Sequence, residues 1–286
     1  MKTILRKLQF ILALSASFLV HLHCSASSGK AVAESAKQPE KIISLVPSVT
    51  EIIFALNEDK KLVGVSTYCD YPDKAKKITK AGDMTSPDLE KIRELQPDLI
   101  ILTSPVQKQL AKDLQNLGFN ILLLDDPKDI DGVLKQIQDV ADALGAEKKG
   151  RLLTDSLRNV LSLIKRTDSI PAYIELSDDP LVTVGNQSFI THALSYIGLV
   201  SIFCQSPQGY PIVNCEEIVM RSPKVVLLLY QQASCDEFKN RIGFSQLRAI
   251  KDDRVYDSLP IDELMRPAPR LVHGLIVVDS IVHYAE

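Results

Sequence analysis

Hydrophobic and polar positions follow the same order twice along this chain. In the first copy, a short amphipathic pattern beginning at Glu90 ends at Pro97 and leads into an apolar run. In the second copy, a similar pattern beginning at Glu216 ends at Pro223 and leads into another apolar run. The periodicity predicts a helix, a proline stop and a buried strand in each copy. The offset is 126 residues for both the glutamates and the prolines, which indicates two related units.

Further apolar runs and amphipathic segments surround both copies in a similar order. The additional predicted strands are 42–46, 120–125, 172–176 and 254–259. The additional predicted helices are 106–117, 130–144, 237–250 and 267–284. Strands that alternate with helices are typical of parallel, doubly wound sheets covered by helices. We therefore expect an α/β fold with two doubly wound parallel-sheet lobes. One continuous sheet with accidental similarity is the alternative.

The segment 146–166 separates the two units and has its apolar residues at helical spacing, from Leu152 to Ile164. It contains no glycine or proline after Gly150, so it is expected to form one long helix. A helix of about 20 residues spans about 30 Å, enough to cross the back of both lobes. Such a rigid connection predicts that the lobes open and close only slightly around a cleft between them.

The N-terminus has the composition of an export signal. Lys2, Arg6 and Lys7 precede an apolar stretch from Leu8 to Val20, which is too short to span a bilayer comfortably. Export to the periplasm or another extracytoplasmic space is therefore expected, and an uncleaved membrane anchor is the alternative.

Cys24 lies where a bacterial lipoprotein would be cleaved and lipidated. The segment 25–40 is rich in serine, alanine and lysine and is expected to be a flexible tether. Lipidation of Cys24 and cleavage after Ala26 both remain open. The expected organisation is a signal peptide at 1–24, a tether at 25–40, an N-terminal lobe at 41–145, a connecting helix at 146–168 and a C-terminal lobe at 169–286.

Charge and composition exclude some function classes. The 286-residue chain has a net charge of −3, is 45% hydrophobic and contains no tryptophan. Removing residues 1–24, which carry three bases and no acid, leaves 30 bases and 36 acids. No basic run occurs beyond the N-terminus, so a nucleic-acid partner is not expected.

The cysteines beyond Cys24 are Cys69, Cys204, Cys215 and Cys235. In an oxidising compartment they could form up to two disulfides, and three complete pairings are open. No Cys-x-x-Cys occurs and the histidines do not complete a zinc spacing, so neither a metal site nor a cofactor is predicted.

Catalysis is not expected either. The chain lacks a Gly-x-Ser-x-Gly elbow, a phosphate-binding loop and a His-Glu-x-x-His helix. The first predicted strand leads into VPSV at 46–49 rather than into a glycine-rich turn. A binding protein is therefore favoured over an enzyme.

Five short motifs, in order and spacing, carry a family resemblance. They are KIISLVPSVTE at 41–51, VGVSTYCDYP at 63–72, GDM at 82–84, LEKI at 89–92 and PDLI at 97–100. Together they resemble the helical-backbone class of periplasmic binding proteins of ABC importers. The similarity is closest to the vitamin B12-binding proteins, and iron-siderophore and haem binders are their relatives. It extends over about residues 41–286.

The resemblance implies a ligand cleft between the lobes, at the carboxyl ends of the strands, where open α/β sheets generally bind ligands. The cleft positions that it implies are Pro47, Tyr68, Met84, Thr103, Tyr210, Asp262 and Arg266. The B12 binders carry several tryptophans in this cleft, and here Met84, Thr103 and Tyr210 stand at those places.

The residue types suit a corrinoid, a large flat chelate with an apolar ring edge and peripheral amides. Siderophore and haem sites tend to need several arginines or a metal ligand. Structural roles are open for the same residues. Pro47 could begin a helix that Ser48 or Thr50 caps, and Asp262 and Arg266 could form a solvated ion pair. Because prolines flank that pair, we expect a loop at the mouth of the second lobe.

The resemblance also implies that Glu90 and Glu216 form salt bridges to arginines on the two permease subunits. Compensation of helix N-terminal charge is the simpler alternative for each glutamate.

We therefore expect a monomeric binding protein that delivers a corrinoid, with an iron-siderophore or haem as the alternative ligand. A non-transport surface lipoprotein is a rival of another class. A nitrogenase-type metallocluster scaffold would need ligating cysteines at the lobe junctions.

Overall fold

The computed structural model describes residues 38–284, and the signal segment, Cys24 and the tether as far as residue 37 lie outside the described residues. Its strands are β1 (Ile42–Ser44), β2 (Leu62–Val65), β3 (Leu99–Ser104), β4 (Ile121–Asp125), β5 (Ile170–Asp178), β6 (Leu181–Thr183), β7 (Leu199–Ser201), β8 (Val225–Leu228) and β9 (Val255–Tyr256). Its α-helices are α1 (Pro47–Ala55), α2 (Leu89–Leu95), α3 (Lys108–Asn116), α4 (Ile130–Ala143), α5 (Glu147–Ile164), α6 (Phe189–Ser195), α7 (Cys215–Arg221), α8 (Cys235–Lys239), α9 (Arg248–Lys251), α10 (Ile261–Met265) and α11 (Leu271–Tyr284).

The first lobe is built on a parallel sheet in the order β2-β1-β3-β4. Its inner strand β3 is apolar from Leu99 to Leu102, and both of its faces are covered there. Ile101 packs into the core on one face, while Ile100 and Leu102 pack into a separate cluster on the other. A strand buried on both faces needs apolar residues at successive positions, as the sequence has here.

The second lobe has the order β6-β5-β8-β9, with β7 paired to the N-terminal half of β5. All of these pairs are parallel except the β5–β6 hairpin. The prediction of two doubly wound parallel-sheet lobes is therefore confirmed. The short elements β6, β7 and α6 were not predicted.

The two sheets are joined by α5, the long helix expected from the apolar period. It packs against α4 and α11. At its N-terminal end, the Lys149 ammonium lies 2.6 Å from the Glu58 carboxylate of the first lobe. Just beyond its C-terminal end, Arg166 donates to Asp279 of α11, with 3.1 Å between Nη2 and Oδ2. Ion pairs thus fix the two ends of the connection to different parts of the fold.

The largest apolar core is continuous across both lobes. It includes Ile42 of the first sheet, Leu161 of the connecting helix, Leu227 of the second sheet and Val278 of the C-terminal helix. The connecting helix therefore contributes side chains to the same core as both sheets.

Two predicted helices differ in the structure. The segment 237–250 is not one helix, because the chain turns at Gly243, whose φ is 86°, and separates α8 from α9. The segment 267–284 becomes an α-helix only at Leu271, after two prolines that lack the backbone N–H a helix interior needs.

The four described cysteines have free thiols. Burial raises the pKa of the Cys69 thiol, whose sulfur lies 3.1 Å from Thr50 Oγ1. Burial also raises the pKa of Cys235 to about 11. Within residues 38–284, no group of three or more His, Cys, Asp or Glu side chains is arranged to hold a metal ion. No helix of that range is both long and apolar enough to cross a membrane.

Candidate ligand-binding cleft

Pro47 lies directly beyond the carboxyl end of β1, as the first residue of α1. Its fixed φ and missing N–H suit the first helical position. Neither Ser48 nor Thr50 caps the helix, because the N-cap is Val46 and no side chain bonds there. Thr50 instead donates from Oγ1 to Ser44 Oγ at 2.9 Å. The proline therefore presents its ring at the strand end without a polar cap beside it.

A buried glutamine brings two of the expected cleft residues together. The Thr103 backbone N–H donates to Gln107 Oε1 at 2.8 Å, and Gln107 Nε2 donates to the Met84 carbonyl oxygen at 2.6 Å. The Gln107 side chain is 1% exposed. Gln107 was not predicted as a site residue, because its only signal in the sequence is its place just after β3.

The turn that carries Met84 is held in one conformation. Gly82 has a φ of 99°, and a Cβ there would lie 2.5 Å from backbone atoms of Pro87 and Asp88. The Asp83 carboxylate accepts hydrogen bonds from the backbone N–H groups of Ser86, at 2.6 Å, and of Thr85. These amides lower the pKa of Asp83. Only glycine fits at the first position, and the ionised carboxylate closes the turn.

Tyrosines lie on both lobes with much of their surface uncovered. Tyr68 follows β2 and is 59% exposed, and Tyr210, in the bend before α7, is 51% exposed. The main chain beside Tyr210 is fixed by a 2.8 Å hydrogen bond from the Gly185 N–H to the Gly209 carbonyl oxygen. Tyr71 lies beneath the Arg270 guanidinium, 3.5 Å from the ring centroid. Tyr68 and Tyr210 therefore keep aromatic surface for a ligand.

Arg266 and Arg270 of the second lobe bond to carboxylates of the first. Arg266 Nη1 donates to Asp70 at 2.6 Å and to Glu51 at 3.1 Å. Arg270 donates to the same Glu51 at 2.6 and 2.8 Å. We call Glu51, Asp70, Arg266 and Arg270 the interlobe arginine cluster. Asp70 lies in the loop after β2 and Arg266 directly follows α10, so the cluster links the two lobes through side chains.

The expected loop around Asp262 and Arg266 contains a short helix instead, since Asp262 lies in α10 and Arg266 directly follows it. Their side chains are 3.7 Å apart, and the Asp262 carboxylate is more than half exposed. Although burial opposes its charge, the carboxylates of Asp70 and Glu51 raise the pKa of Arg266. The hydrogen bond from Arg266 lowers the pKa of Asp70. The sequence analysis placed neither Glu51 nor Arg270 in the site.

A second arginine–carboxylate pair lies within the second lobe. Arg241 donates from both Nη atoms to the carboxylate of Glu175 on β5, at 2.7 and 2.8 Å. The Glu175 side chain is completely buried. The Tyr230 hydroxyl, just beyond β8, is 3.5 Å from Arg241, and the Phe238 ring lies beneath the guanidinium. Sequence reasoning missed this pair because its members are 66 residues apart.

Glu90 and Glu216 occupy equivalent places on the two lobes. Each is the second residue of its helix, and each side chain is exposed. Asp88 caps α2 by accepting from the Lys91 N–H, and Asn214 caps α7 by accepting from the Glu217 N–H. In the described chain neither Glu90 nor Glu216 forms an ion pair with another residue. Both carboxylates are thus presented outward in the same local setting.

The fold and its cleft define the class of protein. Residues 42–260 match the periplasmic binding protein family, and the chain belongs to that family. It is a substrate-binding protein of an ABC importer that works outside the cytoplasm, and it is not an enzyme.

Among curated relatives, an uncharacterized ABC transporter substrate-binding lipoprotein of Bacillus subtilis is 33% identical over 250 residues, which covers 84% of this chain and 78% of the relative. The solved vitamin B12-binding protein of Vibrio cholerae is 29% identical, with a TM-score of 0.72 over 86% of this chain and 97% of that one. A possible iron-binding, periplasmic solute-binding protein of Staphylococcus epidermidis is 26% identical, with a TM-score of 0.76 over 86% of this chain and 100% of that one.

Proposed function

We propose that this protein captures a corrinoid in the cleft between its lobes and delivers it to the permease of an ABC importer. The observation that best supports the proposal is the exposure of Tyr68 and Tyr210, one on each lobe. A flat macrocycle with an apolar edge can be held between aromatic side chains from two sides. The 29% identity to the vitamin B12-binding protein of Vibrio cholerae also supports this ligand class.

Several polar groups accompany the aromatic surface. Thr103 is buried, and its backbone bonds the Gln107 side chain that holds the Met84 turn, whereas the largely exposed Asp262 carboxylate lies beside Arg266. Peripheral amides of a corrinoid donate and accept hydrogen bonds, so they suit a mixture of hydroxyl, carboxylate and guanidinium groups. Pro47 and Met84 supply apolar contact. No metal or cofactor of the protein itself enters this proposal, in which the chelate is the cargo.

An iron chelate is the second candidate ligand. Arg241 and Arg266 are the residue type that recognises carboxylates of haem or of a siderophore, and the Staphylococcus epidermidis relative is described as possibly iron-binding. Both arginines already donate to buried carboxylates, which favours the corrinoid.

For delivery, we propose that Glu90 and Glu216 form salt bridges to arginines on the two permease subunits. Their equivalent positions on two related lobes match a partner that has two equivalent subunits. A lipid on Cys24 would keep the loaded protein near that permease.

Isothermal titration of the purified protein with cyanocobalamin, cobinamide, haem and a ferric siderophore tests the ligand. Tight one-to-one binding of a corrinoid supports the proposal. Binding of haem or the siderophore alone overturns the corrinoid and keeps the transport role.

A further inference from the structure

We infer that Glu51 determines which ligands the cleft accepts: by neutralising Arg266 and Arg270, it makes the cleft select an amide-bearing, uncharged or cationic chelate over a carboxylate-bearing one. This inference rests on the proposed function, because it requires that the ligand lies between the lobes. Glu51 belongs to the first lobe, and both arginines belong to the second.

Glu51 is a buried acid with three strong donors. Its side chain is 3% exposed, and it accepts hydrogen bonds from Arg270 Nε, Arg270 Nη2 and Arg266 Nη1. Separating such a buried ion pair would leave an uncompensated charge. The Glu51 carboxylate is therefore the main counter-charge of both arginines.

Arg266 has a further acidic partner that is more exposed than Glu51. Asp70, in the loop that follows β2, accepts from Arg266 at 2.6 Å and is about half exposed. The guanidinium thus lies between two carboxylates before any ligand arrives. A carboxylate on a ligand would have to displace Asp70 or lie beside it, and like charges side by side oppose binding. A ligand amide could instead accept from Arg266 while donating to Asp70.

The second lobe shows the same arrangement, since the charge of Arg241 is matched by the buried Glu175. Other acids stand near the carboxyl ends of the strands and form no ion pair within residues 38–284. They are Asp83, Asp125, Asp126, Asp178 and Asp179. Lys80 is a cation in the same region, and its ammonium donates only to the backbone carbonyls of Ser66, Cys69 and Ala75. The unpaired acids outnumber it, which agrees with selection against anionic ligands.

The test uses two probes that differ by one charge. Cyanocobalamin carries peripheral amides, and its monocarboxylic acid derivative replaces one amide by a carboxylate. At low salt, the unmodified protein is expected to bind cyanocobalamin about tenfold more tightly than the monocarboxylic acid derivative. Glu51→Gln should remove most of that preference. Glu58→Gln should keep it, because Glu58 is a mostly buried first-lobe acid that pairs with Lys61 and Lys149 instead.

Asp70→Asn provides a second variant if Glu51→Gln does not fold, because Asp70 is the more exposed partner of Arg266. Asp70→Asn should also reduce the ratio of affinities for cyanocobalamin and its monocarboxylic acid. The inference is overturned if the acid binds the unmodified protein as tightly as the amide does. It is overturned as well if both variants fold and keep the full tenfold preference.

Haemin and haemin dimethyl ester test the same charge preference with porphyrin ligands, since the ester lacks the free carboxylates of haemin. If the corrinoids do not bind but the ester binds more tightly than haemin, the corrinoid proposal fails and the role of Glu51 stands. If haemin binds more tightly than its ester, the role of Glu51 fails. Absence of binding to both probe pairs overturns both proposals.

Discussion

Gln107 donates a hydrogen bond from its side-chain nitrogen to the carbonyl oxygen of Met84, 23 residues earlier in the chain, at 2.6 Å. The same side chain accepts from the Thr103 N–H. One amide thus connects the end of β3 to the turn that carries Met84. One buried and one partly buried backbone group depend on this single side chain.

Gln107→Leu is therefore expected to lower the free energy of unfolding by about 1–3 kcal/mol, because both backbone groups lose their partner. It should also weaken ligand binding, since the Met84 turn is no longer fixed. Urea denaturation and calorimetric titration measure the two effects. Gln109→Leu is the matched control, because Gln109 is exposed on the same helix and bonds only Asp113. Equal stability of the two variants would contradict this account of Gln107.

Removing the cleft tyrosines should weaken ligand binding without unfolding the protein. Tyr68→Ala or Tyr210→Ala each removes an aromatic side chain that the ligand would bury, which is worth about 1.5–3 kcal/mol. The dissociation constant should rise roughly tenfold to a hundredfold. Leu163→Ala, on an exposed face of the connecting helix, should leave the affinity unchanged. Unchanged affinity in both tyrosine variants would place the ligand elsewhere.

Reversing the charges of Glu90 and Glu216, the glutamates proposed to contact the permease, should separate ligand binding from transport. The double variant Glu90→Lys and Glu216→Lys is expected to abolish uptake while ligand affinity stays the same, because both side chains lie on the outer surface of their helices. Uptake by cells and titration of the purified variant give the two measurements.

Glu147→Lys is the control for that variant. Glu147 also lies in the first turn of its helix, so charge reversal costs a similar amount of helix stability, about 0.3–1 kcal/mol. Uptake that persists in the double variant would disprove the docking role.

The Arg166–Asp279 pair should contribute strongly to stability. Asp279 is buried and Arg166 is largely so, and Arg166→Gln leaves the carboxylate without its main partner. The expected loss is about 3 kcal/mol in the free energy of unfolding. Arg158→Gln removes an exposed ion pair on the connecting helix and should cost less than about 1 kcal/mol. Similar losses in the two variants, measured in urea, would disprove the anchoring role.

The pair between Asp70 and Arg266 should make part of the stability depend on pH. Its hydrogen bond to Arg266 lowers the pKa of Asp70 in the folded state. The stabilisation is therefore complete above the unfolded pKa of about 3.9 and is lost as the pH falls through the lower folded value. Because Asp70 is half exposed, the effect should be below about 1 kcal/mol.

Urea unfolding of the protein and of Asp70→Asn between pH 2 and pH 7 measures this contribution. The two should differ at neutral pH and converge at the acidic end. A difference that stays constant over the whole range would show that Asp70 stabilises the fold in another way.

The fold could be predicted from sequence because its main elements are local patterns. A proline after an amphipathic turn marks Pro97 and Pro223, and the apolar strand follows at once. The connecting helix has a long uninterrupted apolar period. Strands as short as β6 and β7, three residues each, leave no such pattern.

Most of the polar framework of the cleft could not be predicted in this way. Glu51 and Arg270 are 219 residues apart, and only the folded chain brings them together. The single helix predicted at 237–250 was wrong. The apolar period of that segment does not reveal that the helix ends at Lys239 and that Arg241, just beyond it, bonds to Glu175. The family resemblance predicts Tyr68 and Tyr210 as cleft residues, but it does not indicate the residues that pack or bond around them.

The continuous apolar core implies that the two lobes unfold together. Leu161 of the connecting helix is packed in the same cluster as Ile42 and Leu227, one from each sheet. Unfolding of either lobe would remove part of the packing around the connecting helix. We therefore expect that neither lobe folds independently of the other. The protein should melt in a single calorimetric peak. Chains cut at residue 146 should yield two fragments that regain structure only when they are mixed.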